Sequence, residues 1–177
     1  MHTVLLPDDE RALINAVEAM AATRSTRSAE HVVLDQGRLL TARPWPRRGA
    51  PRRGRPGQCH RNSLRVARIT GGVYVEGYAL GPDGMARPHA WCVASDGAVL
   101  DPTWPGGRAH AYLGVPMSTE FVLAFQGRTL TRTCFRGVLD TEVQVTRDAN
   151  RIFTAGVPSY GLIDVGRPLE LGCSPPA

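Results

Sequence analysis

Lysine is absent from this 177-residue chain, and all 21 of its basic residues are arginines. Chemistry that forms a Schiff base on a lysine is therefore excluded. No stretch approaches the roughly 18 consecutive apolar residues of a membrane span. The first residues, MHTVLLPDDERAL, have neither the basic start nor the long apolar stretch of a secretory signal. We therefore expect a cytoplasmic protein with no membrane partner.

The four cysteines are scattered along the chain and form no CxxC pair. Because no short Cys/His cluster has the spacing of metal ligands, the sequence predicts neither a metal site nor a cofactor. In a reducing cytoplasm an isolated cysteine is typically a buried, unreactive thiol. We expect this for Cys92, Cys134 and Cys173, whereas Cys59 stands in a different sequence context.

Positive charge is concentrated in residues 43–56, RPWPRRGAPRRGRP, which hold six arginines and no acidic residue. Its prolines and glycines exclude a regular helix or a central strand. The segment is either a solvated linker or a site that attracts an acidic or phosphate-bearing partner. Since no fold signature of a DNA- or RNA-binding domain accompanies it, nucleic-acid binding is only a minor hypothesis.

The length and the apolar content predict a single domain over residues 1–177. Its four parts are an N-terminal helix and hairpin (1–42), the arginine-rich loop (43–56), a core that carries the motifs described below (57–126) and a β-rich extension (127–177). The motif-bearing core is therefore expected to make up less than half of the chain.

Helical and strand patterns locate the elements of these parts. Residues 7–24 predict an amphipathic helix with an acidic first turn, and HVVLDQGRLLTA predicts a hairpin that turns at residues 35–37. A helix is expected from about Cys59 to Ile69, ended by two glycines, and VYVEGYAL predicts a strand. STEFVLAFQ predicts a helix opened by Ser118 or Thr119, and the tail holds the β-rich fragments RTLTRTCF, TEVQVT and GLIDVG.

The stretch RPHAWCVASDGAVLDPTW, residues 87–104, predicts a β-hairpin with His89 on one arm and Asp101 on the other. A two-residue turn would place the two side chains on opposite faces. A three-residue loop, residues 95–97 with Gly97 in the left-handed conformation, places them on one face as diagonal neighbours. Diagonal partners lie roughly 7 Å apart at the backbone, within reach of a hydrogen bond between imidazole and carboxylate.

Cys59 opens the helix predicted after the arginine-rich loop. The helix dipole favours a thiolate at that end. The first-turn amides, which have no partners within the helix, point to where an oxyanion would form. Cys59, His89 and Asp101 are therefore expected to form a catalytic triad.

The motifs GQC, YVEGYA, HAWCV and DPTW resemble the core of the transglutaminase-like cysteine enzymes within the papain-like group. The pattern is also similar to a family of small bacterial and phage proteins. The resemblance covers about residues 57–104 and extends at most to 112–117. It implies an α+β fold in which an N-terminal nucleophile helix packs on an antiparallel β-sheet.

The resemblance also implies a role for each site residue. Cys59 becomes the nucleophile, His89 the general base and acid, and Asp101 the residue that orients the histidine. Trp91 and Trp104 are expected to wall the site and to contact substrate.

One position departs from the papain pattern. Papain carries an oxyanion-hole glutamine several residues before its cysteine, and Arg53 stands there in this chain. Gln58, directly before Cys59, is a weak substitute that we assign to substrate binding.

This triad predicts acyl transfer through a thioester acyl-enzyme on a peptide, an acyl carrier or a small-molecule amide. Resolution by water would make the protein a peptidase or amidase, and resolution by an amine would make it an acyltransferase. Hydrolysis is the default, because excluding water from a thioester needs a walled acceptor tunnel. The alternatives from other classes are a binding module with an inactive triad and a nucleic-acid-binding protein that uses residues 43–56.

Other polar residues near the motifs are expected to have ordinary roles. His60 and His110 are expected on the surface, and Glu76 at an exposed strand position. Asn62 and Ser63 are expected to cap and pack locally.

Overall fold

The computed structural model describes residues 6–46, 48–104, 109–129, 136–140 and 147–169, with only the backbone for 127–129 and 147–149. The helices are α1 (Asp8–Ala22), α2 (Ala29–Gln36), α3 (Cys59–Thr70), α4 (Thr119–Thr129) and α5 (Arg147–Ala155). The strands are β1 (Arg38–Leu40), β2 (Val73–Leu80), β3 (Ala86–Val93), β4 (Val99–Leu100), β5 (Ala111–Met117) and β6 (Arg167–Pro168). The expected α+β class is confirmed.

The six strands form one antiparallel sheet in the order β4-β3-β2-β5-β1-β6. The sheet curls, so that Thr41, just after β1, bridges to Ala98, just before β4. Alternate residues of β2 lie in apolar clusters on the two faces: Tyr74 and Tyr78 in one, Val75 in the other. The sheet is therefore covered on both faces along its central strand.

Two predicted helices that frame the core are confirmed. α1 buries Leu13 and Val17, as its periodicity predicts. α3 starts at Cys59 and ends at Thr70, and Gly71, which follows it, adopts the left-handed conformation (φ +66°) that is common after a helix end. α4 is also confirmed, and Ser118 rather than Thr119 caps it, because the backbone N–H of Phe121 donates to Ser118 Oγ at 3.1 Å.

The hairpin predicted at residues 31–42 is wrong: the first half of that stretch belongs to α2 and only the second half is a strand. His31 turns back on Ser28, with its Nδ1 3.3 Å from the Ser28 backbone N–H and 2.9 Å from Ser28 Oγ. Val32 and Val33 are fully buried against the core. The contacts between Ser28 and His31 at the start of α2, together with this burial, outweigh the strand preference of the valines. Because β1 pairs with β5, the N-terminal part belongs to the sheet itself.

The described part of the β-rich extension predicted for residues 127–177 contains the strand β6, which pairs with β1, and also the helix α5, which was not predicted. RTLTRTCF begins within α4 and then, like all of TEVQVT, lies outside the described residues. GLIDVG follows a 3-10 turn (Ser159–Gly161) and contributes only an isolated bridge, from Leu162 to Met117. α5 lies between them, and its Ile152 and Phe153 are buried in the core, which stabilises a helix there.

The described residues of the 43–56 segment form no helix or strand, as predicted, but they are held against the body of the protein. The backbone N–H of Gly54 donates to the Pro102 carbonyl at 2.9 Å, and Asn62 Nδ2 donates to the Arg55 carbonyl at 2.8 Å. A Cβ at Gly54 would lie 1.9 Å from the Asn62 side chain, so this close approach requires glycine. The loop therefore runs beside α3 and the hairpin that follows it.

Candidate active site

The hairpin between β3 and β4 has the register that brings His89 and Asp101 together. Cys92 pairs with Leu100, and the backbone N–H of Ala94 donates to the Ala98 carbonyl at 2.9 Å. Residues 95–97 are thus a three-residue loop, with Gly97 at φ +81°. The predicted register is confirmed, and His89 Nε2 lies 2.8 Å from Asp101 Oδ2.

Asp101 follows directly after β4 and is fully buried. Its Oδ1 accepts the backbone N–H groups of Thr103 at 2.9 Å and Trp104 at 3.1 Å, and its Oδ2 accepts the Tyr112 hydroxyl at 3.0 Å as well as His89. Burial alone would raise the pKa of Asp101, but hydrogen bonds and charge attraction from His89 and the two amides lower it. The carboxylate therefore presents only acceptors to the imidazole.

Aromatic rings enclose the His89 imidazole. The Trp104 ring centroid lies 4.8 Å from that of His89 and the Trp91 centroid 6.2 Å away. Trp91 is fully buried, whereas Trp104 is half-buried. A Cβ at Gly114 would lie 2.8 Å from the Trp91 ring, so the indole packs directly on that glycine. Both tryptophans stand beside the histidine as the sequence predicts, and their contact with substrate stays a prediction.

Cys59 is the first residue of α3 and is half-buried. Burial works to raise the pKa of its thiol, but hydrogen bonds and charge attraction from His60 and His89 outweigh this and lower the pKa to about 6. The first intrahelical bond runs from the Asn62 N–H to the Gln58 carbonyl, so the N–H groups of the preceding first-turn residues have no partner within the helix. A thiolate and free backbone donors therefore lie together at this helix end.

Gln58 occupies the N-cap position of α3, where its side chain is exposed and makes no capping hydrogen bond. Its assignment to substrate binding stays a prediction. Arg53, which stands where papain has its glutamine, is half-buried in the preceding loop.

The expectation that His60 is a surface residue is wrong. Its Nδ1 lies 3.1 Å from the Tyr74 hydroxyl and 3.8 Å from Glu76 Oε2. Burial would lower the pKa of His60, but the charge of Glu76 and the contact with Cys59 raise it to about 9. His60 is therefore cationic at neutral pH. His110, by contrast, is exposed as predicted.

The expectation that Glu76 is exposed is also wrong, since only 1% of the residue is accessible. Its carboxylate accepts the Tyr74 hydroxyl at 2.7 Å and the backbone N–H groups of Val138 at 2.6 Å and Leu139 at 2.8 Å. The signal that could have found it is the strand itself: VYVEGYAL is otherwise apolar, which is typical of a strand buried on both faces. A single glutamate in such a strand needs buried partners.

Asn62 and Ser63 do more than the local packing expected of them. Ser63 Oγ donates to the Ala90 carbonyl at 2.8 Å, and Asn62 Nδ2 also reaches Thr103 Oγ1 at 3.0 Å. Both side chains are buried. They fix the start of α3 against β3 and against the segment after Asp101, which sets the position of Cys59 relative to His89 and Asp101.

A cavity of about 250 Å³ adjoins the two histidines. His60 and His89 both line it, together with Tyr78, Leu139 and the carboxylate of Asp140. A larger groove of about 490 Å³ between α4 and α5 contains none of the predicted site residues. The smaller cavity is therefore the space in which a bound group would meet both imidazoles.

The remaining predicted features concern cysteines and metal ligands. Cys92 is buried, and burial raises the pKa of its thiol to about 11, as expected of an unreactive cysteine. Cys134 and Cys173 lie outside the described residues. Within the described ranges, no group of three or more His, Cys, Asp or Glu side chains is arranged to hold a metal ion, and no helix has both the length and the apolar character to cross a membrane.

Comparison of the chain with models of protein families, with curated proteins and with solved structures finds no match in any of the three. The resemblance to transglutaminase-like enzymes is therefore carried by the sequence motifs alone.

Proposed function

We propose that this protein is a cysteine-dependent acyl-transfer enzyme whose triad is Cys59, His89 and Asp101. The observation that carries the proposal is the chain of contacts in which a buried carboxylate binds one ring nitrogen of His89 and the thiol of Cys59 interacts with the same imidazole. A nucleophile, a base and an orienting group in contact are the requirements of this chemistry. The motif resemblance adds the proposal that the α+β core is of the papain-like, transglutaminase-like kind.

The Cys59 thiolate attacks the carbonyl carbon of an amide or thioester, forming a C–S bond and moving the carbonyl π electrons onto oxygen. His89 then gives its Nδ1 proton to the leaving group as the bond to that group breaks. A water molecule attacks the resulting thioester while His89 takes a proton from it, and collapse of the second intermediate expels the thiolate. The acid product leaves with the enzyme in its starting state.

Hydrolysis by a peptidase or amidase is the activity we propose first, because excluding water from the thioester would need a walled acceptor tunnel. Resolution by an amine, which would form an amide or isopeptide bond, is the alternative within the same mechanism. Product analysis with and without an added primary amine distinguishes the two outcomes.

The reactivity of Cys59 is the direct test of the triad. We expect the rate of alkylation by iodoacetamide to rise to a plateau with a midpoint near pH 6, because the thiolate forms above the thiol's pKa of about 6. Cys92 should stay unmodified in the folded protein, since it is buried and its thiol pKa is raised to about 11. Peptide mapping after timed labelling measures both rates.

The control variant is His89→Ala, in which the midpoint for Cys59 should move toward the pKa of an ordinary thiol. Incubation with p-nitrophenyl acetate should also acetylate Cys59 and no other cysteine of the native protein. Labelling of Cys59 no faster than Cys92, with no acetyl-enzyme, would contradict the enzymatic function and favour a binding module.

The arginine-rich loop supplies a second, more specific expectation about the substrate. The side chains of Arg48, Arg52, Arg53 and Arg55 make no ion pair with a carboxylate in the part of the chain that the structure describes, whereas Arg43 pairs with Asp96 at 2.5 Å. The loop is bonded to Pro102 and to α3, beside the site. We propose that it attracts acyl donors that carry negative charge.

Changing those four arginines to glutamine should raise KM for a glutamate-rich peptide thioester about tenfold and change kcat little, because exposed charge pairs contribute a few tenths of a kcal/mol each. A neutral peptide thioester should show no change, and neither should an Arg87→Gln control, which removes an arginine that lies outside the loop and is paired with Asp83. An unaltered KM for the acidic peptide would contradict the expectation. Salt-sensitive oligonucleotide binding that persists in Cys59→Ala would support nucleic acid as the partner instead.

A further inference from the structure

Cys59 interacts with two imidazoles, although a triad needs only one. His89 is bound to Asp101, and His60 is bound to a separate pair of buried residues, Tyr74 and Glu76. The proton transfers described above use only His89. The second histidine therefore has a place in the site and no role yet.

The ring of His60 is held in one orientation by its surroundings. The Tyr74 hydroxyl donates its single proton to Glu76 Oε1, so the contact between His60 Nδ1 and the Tyr74 oxygen requires the ring to donate. The backbone at Gly137 packs directly on the ring, since a Cβ there would lie 2.5 Å from His60 Cε1. This arrangement engages Nδ1–H and leaves Nε2 as the nitrogen that can serve a reacting group.

The charged and titratable groups that face His60 explain why it keeps its proton. Glu76, Cys59 and Asp140 all favour the imidazolium, whereas burial opposes it. His89 lines the same cavity and is the proton carrier of the triad. The two imidazoles therefore have different roles. His89 is placed to exchange a proton with the reactants, and His60 is placed to remain a cation.

We propose that His60 is a second catalytic residue, which stays protonated throughout and donates its Nε2–H to the oxyanion of both tetrahedral intermediates. The proposal rests on the acyl-transfer function and deepens it. It also supplies the oxyanion-hole side chain that Arg53 and the exposed Gln58 leave without a candidate. Tyr74 and Glu76 are positioning residues that fix the ring.

The bond changes of the reaction are unaffected by this role. When the thiolate forms the C–S bond, the carbonyl electron pair becomes an oxyanion, which accepts a hydrogen bond from His60 without taking its proton. On collapse the C=O bond reforms and the leaving group departs. The same donor serves when water attacks the thioester, and His60 is unchanged at the end.

The test compares two reactions of Cys59 at the same pH: acylation by p-nitrophenyl acetate, which forms an oxyanion, and alkylation by iodoacetamide, which forms none. Both rate constants are proportional to the fraction of Cys59 that is present as thiolate, so their ratio does not depend on that fraction. The p-nitrophenolate leaving group needs no acid, so His89 affects both reactions alike. In His60→Phe the ratio should fall about 100-fold, the size of effect expected for loss of one oxyanion donor, and Tyr74→Phe should lower it less.

The wild-type protein provides a measurement that needs no variant. Because the pKa of His60 is about 9, the ratio should fall as pH rises from 8 to 10, with background hydrolysis subtracted from a Cys59→Ala sample. A ratio that is unchanged in His60→Phe would show that His60 only ionises the thiol, and it would overturn the proposal. If His60→Phe fails to fold, a ratio that is unchanged in Tyr74→Phe and constant from pH 8 to 10 would overturn it in the same way. Absence of acylation in the wild-type protein would instead contradict the acyl-transfer function itself.

Discussion

Replacement of Asp101 by asparagine should lower the rate of acyl transfer by on the order of 10⁴-fold and leave the fold intact. Every group that contacts Asp101 donates: two backbone N–H groups reach Oδ1, and Tyr112 and His89 reach Oδ2. An asparagine keeps its carbonyl oxygen toward the two amides and turns its NH₂ toward the imidazole. His89 Nε2 must then accept, which places the ring proton on Nδ1, where it cannot take a proton from Cys59.

The measurement is the steady-state rate of p-nitrophenolate release, which includes hydrolysis of the acyl-enzyme with His89 as base, together with the midpoint of Cys59 alkylation, which should move above pH 6 in the variant. Tyr112→Phe is the matched control, since it removes one donor to the same oxygen and leaves the acceptor for His89 in place. We expect its rate to stay within about tenfold of the wild type. A fully active Asp101→Asn protein would show that the carboxylate has a structural role only.

The approach of His89 to Asp101 was accessible from the sequence because its determinants are local. The loop residues Ser95, Asp96 and Gly97 set the register of the hairpin, and the register alone decides whether His89 and Asp101 share a face. The limits of α3 also follow from local residues, the glycines that precede and follow it. Such features need no knowledge of distant contacts.

The second imidazole was missed because its partners are distant in sequence. His60 acquires its role from Glu76 on β2, and Glu76 in turn is satisfied by the backbone of residues 138–139, which lie 62 and 63 positions further along. No local pattern relates these segments. The apolar residues around Glu76 indicate a strand buried on both faces, but they do not show which segment covers it and supplies its partners.

The error at α2 has a different origin. Val32 and Val33 favour a strand by propensity, and the glycine at position 37 suggests a turn. The helix is decided by the contact between His31 and Ser28 and by burial of both valines against the core. Tertiary packing overrides local propensity most readily in short segments such as this one.

Replacement of Glu76 by alanine should destabilise the protein by about 3–5 kcal/mol, the cost of removing one partner from a buried charged network. The backbone N–H groups of Val138 and Leu139 and the hydroxyl of Tyr74 would lose the carboxylate that they share, which is itself only 1% accessible. His60 would lose the carboxylate of Glu76 as well, which leaves only Cys59 and Asp140 to favour its cation. The free energy of unfolding, measured by urea denaturation followed by circular dichroism, tests this expectation.

The matched control is Glu18→Ala on the exposed side of α1, which should change the free energy of unfolding by no more than about 0.5 kcal/mol. The loss in free energy of unfolding for Glu76→Gln should lie between those of Glu18→Ala and Glu76→Ala. An amide keeps one acceptor oxygen but turns two donors toward groups that also donate. A Glu76→Ala protein as stable as the Glu18→Ala control would contradict the buried network. Since the same carboxylate orients His60, any Glu76→Gln protein that remains folded should also lose oxyanion stabilisation, which links the stability of this region to the chemistry proposed for it.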